Sequence, residues 1–383
     1  MPAPESHSGL LKKTIPYYNK RTLVNISNTK QHYSIFPALQ RNAKSAVEKG
    51  WDRFNFGLPV EVTSHGGTDY RFNVQVDSSD SFSWVNSHTP VNIDERDYEQ
   101  QATVVKRMFR DHWSYNKTEM ADCKGPEELT SLVTTRSMGR DQGTADALEN
   151  WGWGAPPAST DTETGWPIRY WLFSEPESTV GSYTTYTSII NGGQGNFLNA
   201  NHGSYTSGPG GISRATYPQW GNFNCQYTTF NDTDALEKLT YAVLSCNFQA
   251  PYDFPNMVKG APNWAMYTTT ANKVIHARLA RQQNDANGSD PLARLTDYEV
   301  FRVPMFRCPQ LDSSSFSLYS SSNKDVIYGI DWSTWYWMST SGFQFEDDIL
   351  EPSREAPLDY THVRYLRGNL CCIEPRRNFV LSK

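Results

Sequence analysis

The 383-residue sequence lacks the features that mark several large classes of protein. No apolar run is long enough to span a membrane, and residues 1–8 lack the apolar stretch of a signal peptide. The six cysteines form no CxxC pair and have no paired histidines near them, which disfavours a zinc site and favours reduced, partly buried thiols. We therefore expect a protein that is made in a cytoplasm and binds no metal.

Signatures of catalysis are missing as well. There is no GxSxG elbow, and no GK[ST] follows the glycines at 192–195 and 208–211, so neither a hydrolase triad nor a phosphate loop is predicted. The carboxylates at 346–348, near the aromatic cluster at 332–337, could be a glycosidase subsite, but adjacent carboxylates in one turn are poorly placed to flank a glycosidic bond. We favour a solvated acidic turn beside buried aromatics, and expect no catalytic residue and no cofactor.

Aromatic residues are plentiful where charged residues are few. Aromatics reach 13% of the chain, with 12 Trp and 21 Tyr, whereas charged residues make up 20%. Aromatic side chains dominate the cores of interfaces between subunits, and they also line carbohydrate-binding surfaces. Composition leaves both possibilities open.

Charge is distributed unevenly along the chain. The total is 35 − 41 = −6, so the chain as a whole does not resemble a nucleic-acid-binding protein. In residues 1–50 only Glu5 and Glu48 oppose the basic side chains, which are Lys12, Lys13, Lys20, Arg21, Lys30, Arg41, Lys44 and Lys49. Prolines discourage regular structure up to residue 36, and a short helix is predicted over 37–49. Contact of this arm with a neighbouring subunit is favoured over contact with DNA, which needs denser charge.

The clearest local pattern is an alternation of apolar and polar residues. It covers Leu58 to Val62 and, beyond the turn at 64–67, Tyr70 to Val76, which predicts a long β-hairpin. Phe82 and Trp84 are predicted to begin another extended stretch. Because an isolated hairpin is marginal in water, it is expected to rest on another subunit, with its own domain as the alternative support.

Farther along, amphipathic helices and short strands follow each other without an internal repeat. The predicted helices are 126–151, 234–246 with a capping box at Asp234 and Glu237, and 271–282 with Val274, Ile275 and Leu279 on one face. A glycine-rich loop is predicted over 191–211, and strands over 299–306, 326–330 and a closing pair at 366–373 and 378–381. This is an α+β protein.

The order of these elements resembles the major capsid proteins of tailed double-stranded DNA bacteriophages, whose fold is named after a Hong Kong coliphage. Three strings carry the resemblance: residues 125–151 are similar to the family's spine helix, 220–222 with 234–236 to the entry of its A-domain, and 367–380 to its closing strands. The resemblance implies an N-arm with a short helix at 1–50, an E-loop hairpin at 51–97, a P-domain at 98–225 with its spine helix at 126–151, an A-domain at 226–355, and C-terminal strands at 356–383 that return to the P-domain.

The resemblance also implies a function, which is assembly rather than catalysis. Such subunits form hexamers and pentamers of an icosahedral shell in the virion, assembled in the host cytoplasm, which encloses phage DNA without sequence-specific binding. A portal protein and scaffolding or decoration proteins are expected partners, and no membrane is expected. The inter-subunit contacts inferred on this basis are Tyr70, Phe72, Val74, Phe82, Trp84, Lys12, Lys13 and Arg21.

Two features of the sequence depart from the family's prototype, and one alternative function is open. Residues 54–97 contain no lysine, so the isopeptide cross-link of the family's prototype is not expected in this segment. The first residues show no long heptad pattern, so we expect a separate scaffolding protein, or none. The alternative is an aromatic-rich tail or spike protein that binds or cleaves polysaccharide; the capped helices and the lack of repeats favour the shell subunit.

Overall fold

The computed structural model describes residues 60–63, 67–76, 99–122, 126–172, 195–198, 201, 205, 207–246, 264–285, 299–300, 303–312, 325–350 and 358–383. The strands are β1 Val60–Thr63, β2 Asp69–Gln75, β3 Glu99–Val105, β4 Arg107–Asn116, β5 Asn196–Phe197, β6 Phe223–Gln226, β7 Trp264–Thr268, β8 Glu299–Val300, β9 Val303–Arg307, β10 Ile327–Asp331, β11 Trp335–Leu350, β12 Asp359–Cys372 and β13 Phe379–Ser382. The α-helices are α1 Lys117–Asp122, α2 Pro126–Gly152, α3 Ile168–Trp171, α4 Glu237–Cys246 and α5 Thr270–Asp285. The α+β prediction is confirmed. Within the described ranges no helix is long and apolar enough to cross a membrane.

The strands form two large sheets and one ribbon. The four-stranded sheet has the order β1-β11-β12-β4, and the seven-stranded sheet has the order β5-β6-β13-β10-β7-β9-β8. The ribbon consists of β2 and β3 alone, antiparallel, with Asp69 opposite Val105 and Gln75 opposite Glu99. The two sheets are connected directly where β10 leads through one 3-10 turn into β11.

The long helix α2 begins at Pro126, whose fixed φ suits the first helical turn, and it continues to Gly152. The sequence prediction of this helix is confirmed. One face of α2 lies on the four-stranded sheet, where Arg364 Nη1 lies 2.6 Å from Asp141 Oδ1 and the Thr144 hydroxyl donates to the Asp111 carboxylate. Leu132 and Val133 of α2 pack there against a buried tryptophan of β4.

The seven-stranded sheet is covered on both faces, as the continuous burial of β7, β10 and β13 requires. Helices α4 and α5 cover one face through Leu239, Ile275 and Leu279. The other face carries the main core, which is rich in tryptophan and includes Trp153, Trp171, Trp220, Trp332 and Trp335.

The two segments predicted to form a hairpin are both strands, but they do not pair with each other. The first segment, β1, pairs in parallel with β11, with Val60 opposite Trp337. The second segment, β2, pairs with β3 instead. Alternation specifies which residues form a strand and which face they share, but the partner is set by contacts far away in sequence. The strand predicted to start at Phe82 and the helix predicted over 37–49 lie outside the described residues.

The predicted closing strand pair is also wrong. β12 belongs to the four-stranded sheet, whereas β13 lies in the seven-stranded sheet between β10 and β6. The 3-10 turn Pro375–Arg377 separates the two strands and redirects the chain from one sheet to the other. The polypeptide therefore crosses from the four-stranded to the seven-stranded sheet at this turn.

The acidic segment was predicted as a turn and is in fact part of β11. Glu346, Asp347 and Asp348 are opposite Tyr365, Arg364 and Val363 of β12. The long neighbouring strand supplies backbone partners that a turn would leave unused.

Two details of the helices differ from the prediction. The cap before α4 is Asn231, whose side-chain oxygen accepts a hydrogen bond from the Asp234 N–H at 2.8 Å, so the predicted capping box is wrong. A π-helical turn, Asp232–Leu236, lies between this cap and α4 and shifts the helix start. On α5, Val274 is 63% exposed, because the sheet-facing side of the helix carries Ile275 instead.

Candidate assembly surfaces

The base of the β2–β3 ribbon is anchored on the chain's own core. Tyr70 is only 5% exposed, and its hydroxyl lies 3.3 Å from the Thr340 hydroxyl. The Lys106 ammonium group lies 4.6 Å from the centre of the Tyr70 ring. At Gly210, where φ is +65°, a Cβ would lie 3.3 Å from Ala102, so the chain approaches the ribbon closely there. The described part of the ribbon thus rests on its own body, which was the alternative support considered from the sequence.

The predicted contact residues have different environments. Tyr70 has little surface left for a neighbour, whereas Phe72 and Val74 are half-buried against the same core. The outward face of the ribbon is polar and carries Arg71, Asn73 and Gln75. Contact of Phe72 and Val74 with a second subunit stays a prediction. The remaining predicted contacts lie outside the described residues: Phe82, Trp84, Lys12, Lys13 and Arg21.

Along its outer strand β4, the four-stranded sheet has one covered and one open face. α2 covers the face on which Trp113 and Tyr115 are buried. The residues that alternate with these two along β4 point the other way, since successive side chains of a strand alternate. On this open face Met108 is 50% exposed, and Arg110 and His112 are exposed as well.

The outer side of α4 also exposes a large apolar residue, Leu244, which is 65% exposed. Single exposed apolar side chains are ordinary on soluble proteins.

A buried polar cluster lies where the two sheets join. The Asn378 side chain accepts hydrogen bonds from Asp331 N and from Trp335 Nε1, at 2.9 and 3.1 Å, and donates to Thr334 Oγ1 at 3.2 Å. Arg377 Nη2 lies 3.0 Å from the buried carboxylate of Asp331. This cluster connects β10, the start of β11 and the start of β13, and so fixes the orientation of one sheet on the other.

Burial controls the titratable groups near these cores. Desolvation raises the pKa of Cys225 to about 11 and places that of Cys246 well above its ordinary value. Burial, together with the positive charge of Lys273, lowers the pKa of His276 to about 4. At neutral pH these two thiols are protonated and the imidazole is neutral, so none of the three is an activated nucleophile or a charged contact.

The described cysteines, Cys225, Cys246, Cys308, Cys371 and Cys372, are all buried and reduced, and Cys123 lies outside the described residues. Among the side chains that the structure describes, no group of three or more His, Cys, Asp or Glu is placed to hold a metal ion.

Sequence reasoning missed the open face of the four-stranded sheet. The signal was present in the alternation of Met108, Arg110 and His112 with Phe109 and Trp113, which is the pattern of a strand with one buried face. It also missed the buried amide cluster, because no local pattern distinguishes a buried asparagine from an exposed one.

The chain was compared with known proteins. No family model matches the sequence, and no curated protein matches it. The structure has the fold of a phage capsid protein: it matches a chain of the capsid asymmetric unit of cyanophage A-1(L) with a TM-score of 0.53, over 85% of this chain and 90% of that chain, at 11% identity.

A capsid chain of the native GTA particle gives a TM-score of 0.49 at 9% identity, with 95% of both chains covered. The match to the cyanophage chain confirms, for the fold, the resemblance stated from the sequence. It gives no support to the tail or spike alternative.

Proposed function

We propose that the chain is the structural subunit of an icosahedral phage head, which assembles as hexamers and pentamers around double-stranded DNA and catalyses no reaction. The observation that carries this proposal is the match to the cyanophage capsid chain over most of both chains. The polar outer face of the ribbon and the open face of the four-stranded sheet provide surfaces for contact between copies.

The parts of such a subunit can be assigned to the described elements. We take the β2–β3 ribbon as the E-loop, α2 as the spine helix of a P-domain that contains the four-stranded sheet, and the seven-stranded sheet with α4 and α5 as the A-domain. The E-loop then spans residues 69–105 rather than 51–97. Of the C-terminal strands only β12 returns to the P-domain, since β13 completes the A-domain sheet.

The partners follow from the same role. The basic segment 1–50 would contact a neighbouring subunit, and a portal protein would occupy one vertex of the shell. Scaffolding and decoration proteins are further proposed partners, and assembly would take place in the host cytoplasm.

Electron microscopy tests the proposal directly. The protein would be expressed alone and, in parallel, with any scaffold candidate encoded beside it, and examined by negative stain. Closed shells, or rings of six and five subunits, are the expected products. A monodisperse monomer or trimer that binds polysaccharide would overturn the proposal in favour of a spike protein.

A further inference from the structure

The strand β4 lies at an edge of the four-stranded sheet, and its backbone is only partly paired. The sheet order is β1-β11-β12-β4, so among the described residues β12 is the one strand that pairs with β4. In an antiparallel pair, every second residue directs both its N–H and its C=O toward the partner strand, and the residues between direct theirs away from it. Half of the backbone groups of β4 therefore face outward from the sheet.

Hydrogen bonds just beyond the two ends of β4 identify the residues that face outward. The Lys117 N–H donates to Leu358 O at 2.8 Å, which continues the pairing with β12, so the odd-numbered residues bond to β12. The Lys106 N–H donates to Thr68 O at 2.9 Å, away from β12. The even-numbered residues thus direct their backbone groups to the outer edge.

Side chains of two helices use the last outward groups of the strand. Arg136 of α2 donates from Nη1 to Ser114 O at 2.6 Å, and the Asn116 N–H donates to Glu119 Oε2 of α1 at 3.1 Å. Arg136 and Glu119 also form an ion pair of 2.8 Å. This end of the edge is therefore occupied, as the other end is by Thr68.

Between the two occupied ends lies a short open stretch. It consists of Met108, Arg110 and His112, whose outward N–H and C=O groups have no partner among the strands and side chains that the structure describes. The side chains of all three residues are exposed. An extended peptide can add to such an edge as a further strand, since its own backbone supplies the missing donors and acceptors.

The side chains beside the open stretch are positively charged. Arg110 is exposed at its centre, and Arg367 of β12 is the diagonal neighbour of Arg110 on the same face. Carboxylates on this face lie farther from the stretch, because Asp359 is paired at the occupied end, and Glu346 and Asp348 belong to β11, two strands in from β4. The charge at the open stretch therefore favours an acidic strand and opposes a basic one.

We propose that the outer edge of β4 binds an extended acidic segment of a different protein, which adds to the four-stranded sheet as a fifth strand. The added strand pairs its backbone with the open stretch and places a carboxylate beside Arg110, where the hydrogen bonds are assisted by charge. This contact goes beyond the assembly of identical copies and does not depend on it.

Charge also disfavours a second copy of β4 as the occupant. If the open stretch paired with itself across a two-fold axis, its central residue Arg110 would lie opposite the same arginine of the other copy. Like charges directly opposite each other destabilise a strand pair, and charged side chains at a sheet edge protect against pairing between identical chains. The arginine that opposes self-pairing attracts an acidic strand.

Binding of synthetic peptides to the full chain tests the inference. The probe is a fluorescently labelled peptide of about nine residues that alternates glutamate with valine, which is long enough to cover the open stretch. One control peptide has lysine in place of glutamate. The other has N-methyl groups on its glutamate nitrogens, which removes the donors that face β4 when glutamate lies beside Arg110, and keeps the charge. Fluorescence anisotropy at about 150 mM salt measures binding, and backbone hydrogen exchange of residues 107–116 reports pairing.

Two variants of the chain complete the design. His112→Pro removes one outward N–H and leaves the pairing with β12 intact, because proline is accommodated on an edge strand where its nitrogen faces outward. Arg110→Glu keeps the backbone and reverses the charge. The matched control is Arg278→Glu, an exposed arginine of α5. Thermal melts by circular dichroism show that each variant is folded, and if His112→Pro is not, Arg110→Glu and the N-methylated peptide carry the test.

The glutamate peptide is expected to bind the wild type and to slow hydrogen exchange at Met108, Arg110 and His112. The lysine peptide, the N-methylated peptide, His112→Pro and Arg110→Glu are each expected to weaken binding at least about fivefold, because each removes a hydrogen bond or a charge contact. Arg278→Glu is expected to match the wild type.

Three outcomes would overturn the inference. The wild type does not bind the glutamate peptide at up to about 1 mM; the N-methylated peptide binds equally well, so that the contact is not strand addition; or Arg110→Glu binds equally well, so that charge plays no part. Each of these outcomes concerns the β4 edge alone and leaves the proposed function intact. Conversely, a chain that binds the peptide but never forms shells would lose the proposed function and keep this contact.

Discussion

The side-chain oxygen of Asn378 accepts a hydrogen bond from the backbone N–H of Asp331 at 2.9 Å, and this contact joins the end of β10 to the residue that precedes β13. Asn378 is fully buried. Its amide also donates to the backbone oxygen of Glu374 at 3.1 Å, so it satisfies donors and acceptors from several elements at once.

Asn378→Ala is therefore expected to destabilise the chain by about 2–4 kcal/mol, because the partners would be left buried without hydrogen bonds. Asn73→Ala, on the exposed face of the ribbon, is the control and is expected to change stability by less than ~0.5 kcal/mol. Urea unfolding of both variants measures this. A loss for Asn378→Ala no larger than that of the control would contradict the role of the cluster.

Glu374 allows a prediction about pH. Burial raises the pKa of Glu374 above its ordinary value, even though Arg377 and Arg376 oppose the shift and Asp331 adds to it. A carboxyl group whose pKa is higher in the folded than in the unfolded state favours folding when protonated, so its contribution becomes less favourable as the pH rises from the unfolded pKa through the folded one.

Relative to the wild type, Glu374→Gln is expected to gain stability as the pH rises through this window. Other carboxylates titrate in both proteins, so the difference between them isolates Glu374. Urea unfolding between pH 4 and 8 provides the comparison. A difference that stays constant with pH would show that the carboxyl group is not penalised by burial.

Much of the local structure could be predicted from the sequence, and most of the pairing could not. Pro126 and the glycines after α2 set the bounds of that helix through backbone chemistry that acts within a few residues. In contrast, Val60 pairs with Trp337, and the pattern around Val60 contains no information about a strand so distant. The open face carrying Arg110 had a visible alternation, but its exposure depended on α2 covering the opposite side.

The burial of the described cysteines can be tested with a thiol reagent, which reports on all six cysteines of the chain. Since Cys225, Cys246, Cys308, Cys371 and Cys372 are buried, their reaction with a thiol reagent at neutral pH requires unfolding. We expect at most one fast-reacting thiol in the native protein, and none in Cys123→Ser. All thiols are expected to react in denaturant. Two or more fast thiols in the folded chain would contradict the burial of these side chains.

The absence of lysine from residues 54–97 predicts that assembled particles contain no covalent link through this segment. Boiled and reduced shells are expected to contain no cross-linked peptide from residues 54–97. Mass spectrometry of any higher band would identify the linked peptides. A ladder whose cross-links map to residues 54–97 would refute the prediction.

The glycines of α2 are expected to tolerate, and even to benefit from, a side chain. A Cβ at Gly139 or Gly143 would meet no atom within 4 Å, so neither glycine is required by packing. Because alanine is the better helix former, Gly139→Ala and Gly143→Ala should each stabilise the chain by about 0.5–1 kcal/mol.

Gly329→Ala is the control variant for which the opposite effect is expected. The Cβ of its alanine would lie 2.1 Å from the Phe379 ring, in the middle of the seven-stranded sheet. It should destabilise the chain, and urea unfolding should give opposite signs for the helix and sheet variants. Destabilisation by Gly139→Ala would contradict this expectation, and would mean that the glycine is needed for a conformation other than a continuous α2 helix.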